Sequence, residues 1–171
     1  MPQPALHPPV IQIAGYKNSG KTTLLCRLVE RIKADGLTVG TVKHDAHDFT
    51  MDQDGTDTWQ HQQAGADITA ISSSRRTAWL MNRPAELHEL ITGMQEVDII
   101  LAEGFKTAPY PKLILLRQET DLELLQLDNV IAAVQWPAFP AAQNLPNLGL
   151  PVLAIDDLEP LYRLVRTLAG V

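Results

Sequence analysis

The chain has 171 residues, 45% hydrophobic and 20% charged, which is the composition of an ordinary globular domain with room for one sizeable core. Its 14 Lys and Arg are scattered and outnumbered by 20 Asp and Glu, for a net charge of −6; this excludes the basic face of a nucleic-acid binder, though not a site for one nucleotide. A single cysteine, Cys26, excludes an internal disulfide framework and a cysteine-based zinc site, and no apolar run nears the roughly 18 residues that cross a bilayer, so no membrane role and a cytoplasmic location are expected.

Met1–Pro9 carries four prolines and no basic-then-apolar pattern, so it reads as a disordered lead-in rather than a signal peptide. Residues 10–171 read as one domain. Val10–Ala14 is a buried strand ending at Gly15. Leu24, Leu25, Leu28, Val29 and Ile32 then mark one face of a helix that stops near Asp35-Gly36. Leu37–Val42 is a second strand, and this βαβ order favours a parallel sheet. Cys26, inside the helix, reads as a small core hydrophobe.

His44–Gly55 is polar and aperiodic, hence a loop. Thr56–Ala64 is a short helix stopped by Gly65, and Ile68–Ile71 with Thr77–Met81 form a hairpin. After Pro84, Leu87, Leu90, Ile91 and Met94 line a helix face. Val97–Ala102, Lys112–Leu116, Val130–Val134 and Val152–Ile155 are further strands. Trp136–Pro151, with four prolines, reads as a surface connection. Asp156 or Asp157 caps a last helix bearing Leu158, Leu161, Tyr162, Val165 and Leu168. The expected fold is an α/β three-layer P-loop NTPase-like domain with a mostly parallel sheet. Trp59, Trp79 and Trp136 are expected in the core or at an interface.

Gly15-Tyr16-Lys17-Asn18-Ser19-Gly20-Lys21-Thr22 fits G-x-x-x-x-G-K-[ST] at every fixed position. Glycines let successive amides turn inward around an anion, and the following helix aims its positive end there. Lys21 would reach the outer phosphates and the Thr22 hydroxyl would ligate Mg²⁺. Gly15, Lys17, Asn18, Ser19, Gly20, Lys21, Thr22 and Thr23 are therefore the nucleotide-binding candidates; the bland alternative is a glycine turn that binds nothing. A partner acid belongs at the carboxyl end of another buried strand, and Glu103 stands there. It would hold the metal or orient the attacking water, whereas Asp98 at the strand entrance reads as a solvated cap. Lys21 and Glu103 are the catalytic candidates.

Lys43-His44-Asp45-Ala46-His47-Asp48 admits three readings: a metal site, a contact to substrate or magnesium water by Asp45 or His44, or a solvated loop. A switch-like loop near the nucleotide is the expectation, with Asp45 joining Thr22 and Glu103 as metal candidates. Asp52-Gln53-Asp54-Gly55 fits D-x-x-G but ends no apolar strand, and no guanine-reading N-K-x-D stretch occurs. Carbonyls around Trp136-Pro137, or Asp156 or Asp157, are then the candidates to accept from guanine.

Together the phosphate loop with Thr23, Thr41-Val42-Lys43-His44-Asp45, Gly55 with Asp57 and Trp59, Ala64-Gly65-Ala66, and Glu103-Gly104-Phe105-Lys106 resemble the MobB family of molybdopterin-guanine dinucleotide biosynthesis adaptors. Thr56 departs from that pattern, which usually has lysine before the aspartate. The resemblance implies a GTP- and Mg²⁺-binding homodimer with weak GTPase activity. It also implies a MobA-type guanylyltransferase and molybdopterin as partners. Lys43, Arg75, Arg76, Lys106 and Lys112 are the basic candidates for an anionic pterin phosphate. A P-loop small-molecule kinase and a GTP-dependent metallochaperone are the competing classes.

Overall fold

The sequence run Val10–Ala14 forms strand β1, buried along its whole length, and burial on both faces of one strand requires a layer on each side. The computed structural model describes residues 7–45, 47–139 and 149–171. Most of the expected lead-in and of the proline-rich connection therefore lies outside the described residues.

The remaining elements, in chain order, are α1 (Lys21–Ala34), β2 (Val39–Lys43), α2 (Asp57–Gln63), β3 (Ile68–Ser72), β4 (Thr77–Met81), α3 (Leu87–Thr92), β5 (Ile99–Glu103), β6 (Lys112–Leu116), a 3-10 helix (Glu119–Gln126), β7 (Val130–Gln135), β8 (Val152–Ala154) and α4 (Leu158–Ala169). The chain divides into two compact units, residues 45–86 and the remainder.

In the larger unit six strands form one sheet in the order β2-β5-β1-β6-β7-β8, with every pairing parallel. Alternation along β1 sends Ile11 and Ile13 to one face, where α1 and α4 contribute Leu24, Leu28, Leu161 and Val165. Each such side chain, once buried, contributes about 1.5–3 kcal/mol relative to exposure. Val10 and Ala14 face the other way, against Leu87 and Ile91 of α3 at one side and Leu124 of the 3-10 helix at the other. This is the expected three-layer arrangement. At the far end from the strand tips, Asp98 accepts from both the backbone N–H and the hydroxyl of Thr38 at 2.7 Å. Those bonds hold its pKa below the ordinary aspartate range, so Asp98 ties strands together, as a cap should.

A polar network locks α1 to α4. Arg31 bridges Asp35 and Glu159 and lies 4.3 Å above the Tyr162 ring, while the Tyr162 hydroxyl donates to Asp35 at 2.5 Å. Asp157 occupies the position before α4, but its side chain makes no capping bond.

Two side chains break the apolar pattern of the sheet interior. Gln12 and Lys112 are adjacent in register and fully buried, on the face shared with Val10. Gln12 donates to the carbonyls of Gly104 and Phe105 at 3.2 and 2.7 Å and accepts from the Tyr110 amide. Lys112 donates to the carbonyls of Ala108, Tyr110 and Asp128. The segment after β5 is thus fastened from beneath. These bonds consume the Lys112 ammonium, which corrects its expected role as a contact for a bound anion.

Two further expectations are corrected. Cys26 is exposed, on the solvent side of α1. Phe139, in the expected surface connection, is buried against Ala14 and Leu116. Trp79, expected in the core or at an interface, is 70% exposed, which leaves the interface.

The smaller unit holds α2 and the antiparallel β3–β4 hairpin. Thr56 caps α2, its hydroxyl accepting from the Trp59 amide at 3.3 Å, and it donates to Asp52. Asp52 also accepts from Gln53 and Gln62; its D-x-x-G stretch is a local turn. Ser73 closes the hairpin by accepting from the amides of Arg75 and Arg76, so both arginines sit at the hairpin tip. Pairing of Ile68 with Met81 and Ala70 with Trp79 places these four on one face, exposed.

Candidate functional site

At the carboxyl end of β1 the chain turns through Gly15–Gly20 and enters α1 at Lys21. The turn needs two left-handed residues, Asn18 (φ 61°) and Gly20 (φ 94°). A side chain at Gly20 would be strained by its φ and would also place its Cβ 2.6 Å from the Trp136 ring.

Side chains from two neighbouring strands hold the loop from outside. Arg117, just beyond β6, donates to the Asn18 carbonyl at 2.7 Å. The Trp136 indole, just beyond β7, donates to the Ser19 carbonyl at 2.8 Å. In a trans peptide the C=O and the next N–H point in opposite directions. Drawing the Ser19 carbonyl toward Trp136 therefore turns the Gly20 amide toward the cradle. Lys21 reaches back over the loop to the Tyr16 carbonyl at 2.8 Å, and Tyr16 donates to Glu123.

The acid expected at the end of β5 is in place. Glu103 is buried at 6% exposure and pairs in register with Ile13 and with Lys43. Both of its carboxylate oxygens lie 3.0 Å from the Thr22 hydroxyl. Lys21, Thr22 and Glu103, far apart in sequence, thus converge beside the loop. Lys17 and Thr23 are exposed, on the loop and on the first turn of α1. Burial is the largest cause that draws the Lys21 pKa down; Glu103 opposes it, and Lys106 and Lys43 reinforce it.

Beyond Glu103 the backbone turns left-handed at Gly104 (φ 89°) and Phe105 (φ 51°). The Gly104 amide donates to Ile13, and the His44 amide donates to Glu103. A Cβ on Gly104 would meet that of His44 at 3.2 Å, and the His44 ring packs on Phe105 at 5.0 Å. His44 is therefore part of the support under the acid. Asp45 opens the smaller unit, where its carboxylate accepts from the His47 amide. Among the described residues no group of three His, Cys, Asp or Glu converges to hold a metal ion. Thr22 and Glu103 still suit magnesium, a hard ion that takes one or two protein oxygens and completes its shell with phosphate and water.

The family model for molybdopterin guanine dinucleotide synthesis protein B, MobB, matches residues 10–136. The chain belongs to the MobB family. Among MobB relatives, a probable molybdopterin-guanine dinucleotide biosynthesis adapter protein of Bacillus subtilis is 36% identical over 157 residues, 87% of each chain. The molybdopterin-guanine dinucleotide biosynthesis adapter protein of Escherichia coli is 34% identical over 90% of this chain and 89% of that one. The crystal structure of Bacillus subtilis MobB superposes with a TM-score of 0.78 at 35% identity, covering 94% of this chain and 97% of that one. The α/β fold with its parallel sheet is that of MobB structures. No helix among the described residues is long and apolar enough to cross a membrane.

Sequence reading missed Gln12, Arg117 and Trp136 as supports of the site. A signal existed for Gln12, the one polar residue in the run Val10–Ala14. None existed for the other two, since only the sheet order brings the ends of β6 and β7 beside the loop.

Proposed function

We propose that this MobB-family chain is a GTP-binding adaptor in molybdopterin guanine dinucleotide synthesis, with weak GTPase activity of its own. The observation that carries the nucleotide reading is the convergence of Thr22 and Glu103 at 3.0 Å, next to a loop whose Ser19 carbonyl is tied back by Trp136. Such a cradle offers inward amides, the positive end of α1 and the Lys21 ammonium to a triphosphate. Gly15–Gly20 would surround the inner phosphates, and Lys21 would span toward the outer ones. Thr22 and Glu103 would hold magnesium, directly or through water, and the ion would neutralise phosphate charge. Glu103 would also orient the attacking water; Asp45 is the next acid to test.

The names of the relatives support the adaptor role; its proposed partners are a MobA-type guanylyltransferase and molybdopterin, and its proposed location is the cytoplasm. A homodimer is part of the same proposal. What supports it is the hairpin face on which Ile68, Trp79 and Met81 are exposed together.

Titration calorimetry with GTP and ATP, with and without magnesium, tests the reading. GTP is expected to bind about tenfold more tightly than ATP, and Lys21→Ala to remove binding while the protein stays folded. Unchanged GTP affinity in folded Lys21→Ala would defeat the phosphate-loop assignment. Equal affinities for the two nucleotides would defeat the guanine assignment. Co-sedimentation with the guanylyltransferase tests the partner.

A further inference from the structure

Lys106 stands immediately after the left-handed turn Gly104-Phe105, and its Nζ lies 3.9 Å from the centroid of the Tyr16 ring. Tyr16 is the second residue of the phosphate loop. The backbone from which Lys106 projects is fixed on several sides. Gln12 holds the carbonyls of Gly104 and Phe105, the Ala108 amide donates to Phe105, and Lys112 takes the carbonyls of Ala108 and Tyr110. A buried glutamine and a buried lysine are thus spent on presenting one short segment, and the cation it presents hangs over the loop.

The local charge balance points the same way. Lys106 and Glu103 both act on Lys21, Arg117 reaches the Asn18 carbonyl, and Glu123 takes the Tyr16 hydroxyl. Three cations against two carboxylates leave a positive excess in a chain whose net charge is −6. A magnesium-bound triphosphate carries the negative charge that would meet it. An ammonium over the face of a tyrosine at the surface gains less than a hydrogen bond between two charged groups does. A phosphate oxygen therefore outcompetes the ring. In the nucleotide reading above Lys21 and Glu103 lie toward the outer phosphates, and Lys106, which follows Glu103 by three residues and acts on Lys21, is on that side.

We propose that Lys106 is a second phosphate-binding lysine, one that leaves the Tyr16 ring to contact the terminal phosphate of a bound triphosphate. The proposal rests on the nucleotide reading above and adds to it a residue that distinguishes triphosphate from diphosphate.

Calorimetry with magnesium, GDP and the non-hydrolysable β,γ-imido analogue of GTP tests it on the full chain. Lys106→Ala is expected to weaken the analogue about tenfold and GDP less than about twofold, with Lys106→Arg recovering most of the loss. Equal weakening of both nucleotides would mean that Lys106 acts only by steadying Tyr16, and would overturn the proposal; so would an unchanged ratio. Wild-type protein that binds neither nucleotide would overturn the underlying reading as well. Binding by wild type with no effect of Lys106→Ala removes this assignment alone.

Discussion

The indole N–H of Trp136 donates to the backbone carbonyl of Ser19 at 2.8 Å, joining the end of β7 to the phosphate loop. The ring also closes against Gly20, whose Cβ it would exclude. Trp136→Phe keeps a ring in place and deletes the donor. A net hydrogen bond contributes about 1 kcal/mol, so triphosphate affinity is expected to fall about fivefold with a small change in the unfolding midpoint. Calorimetry beside a thermal melt separates the two. A large loss of stability with unchanged affinity would make Trp136 a core residue only.

Glu103 faces the Thr22 hydroxyl with both oxygens, so its proposed work is on the metal and its water rather than on the base. Glu103→Gln is expected to lower magnesium-dependent hydrolysis about a hundredfold, the lower end for a group that handles the attacking water, and to change affinity far less. Phosphate release under saturating GTP measures the first and calorimetry the second. Wild-type turnover in the variant would transfer the role to another acid, Asp45 first.

Asp35 predicts an acid limit to stability. The Tyr162 hydroxyl is the largest cause holding its pKa below 3.8, and the Arg31 bond is the next. A carboxylate depressed in the folded state contributes stability above its unfolded pKa and loses it as pH falls through the folded one. The wild-type melting midpoint should therefore drop steeply below about pH 4. Asp35→Asn should be less stable at neutral pH and show a shallower acid drop. Parallel slopes for the two proteins would show that other carboxylates govern the acid limit.

Lys112 donates to three backbone carbonyls from a fully buried position. Lys112→Met preserves most of the volume and strips those carbonyls of their partner. Each buried group left unpaired costs about 1–3 kcal/mol, so a loss of at least about 3 kcal/mol is expected in urea unfolding. A loss under about 1 kcal/mol would mean that the segment after β5 finds other partners.

Much of this was legible in the chain itself. The strand before Gly15, the amphipathic spacing from Leu24 to Ile32 and the hairpin after Gly65 are local patterns, and local patterns survive folding when burial agrees with them. Glu103 was legible because an acid ends an apolar run. The order of the strands was not, because β1 pairs with β5 and β6 rather than with β2, and no periodicity encodes a neighbour so distant. The 3-10 helix at Glu119–Gln126 escaped for another reason. It is set by Asp121, whose carboxylate accepts from the amides of Arg117 and Gln118, and not by an apolar stripe. Cys26 was misplaced because helical spacing alone leaves one residue of latitude at the edge of a buried face.

The central place of β1 has a consequence for how the protein is made. Val10 must find Ile100, and Ala14 must find Ile114, so the strand that carries the phosphate loop emerges from the ribosome long before either neighbour exists. Pairing across such separations is slow, since the intervening chain must close first. Until then an apolar segment with open edges is exposed on the nascent chain, and such edges invite association. The loop that β1 carries is thus synthesised well before the strands that hold it in place.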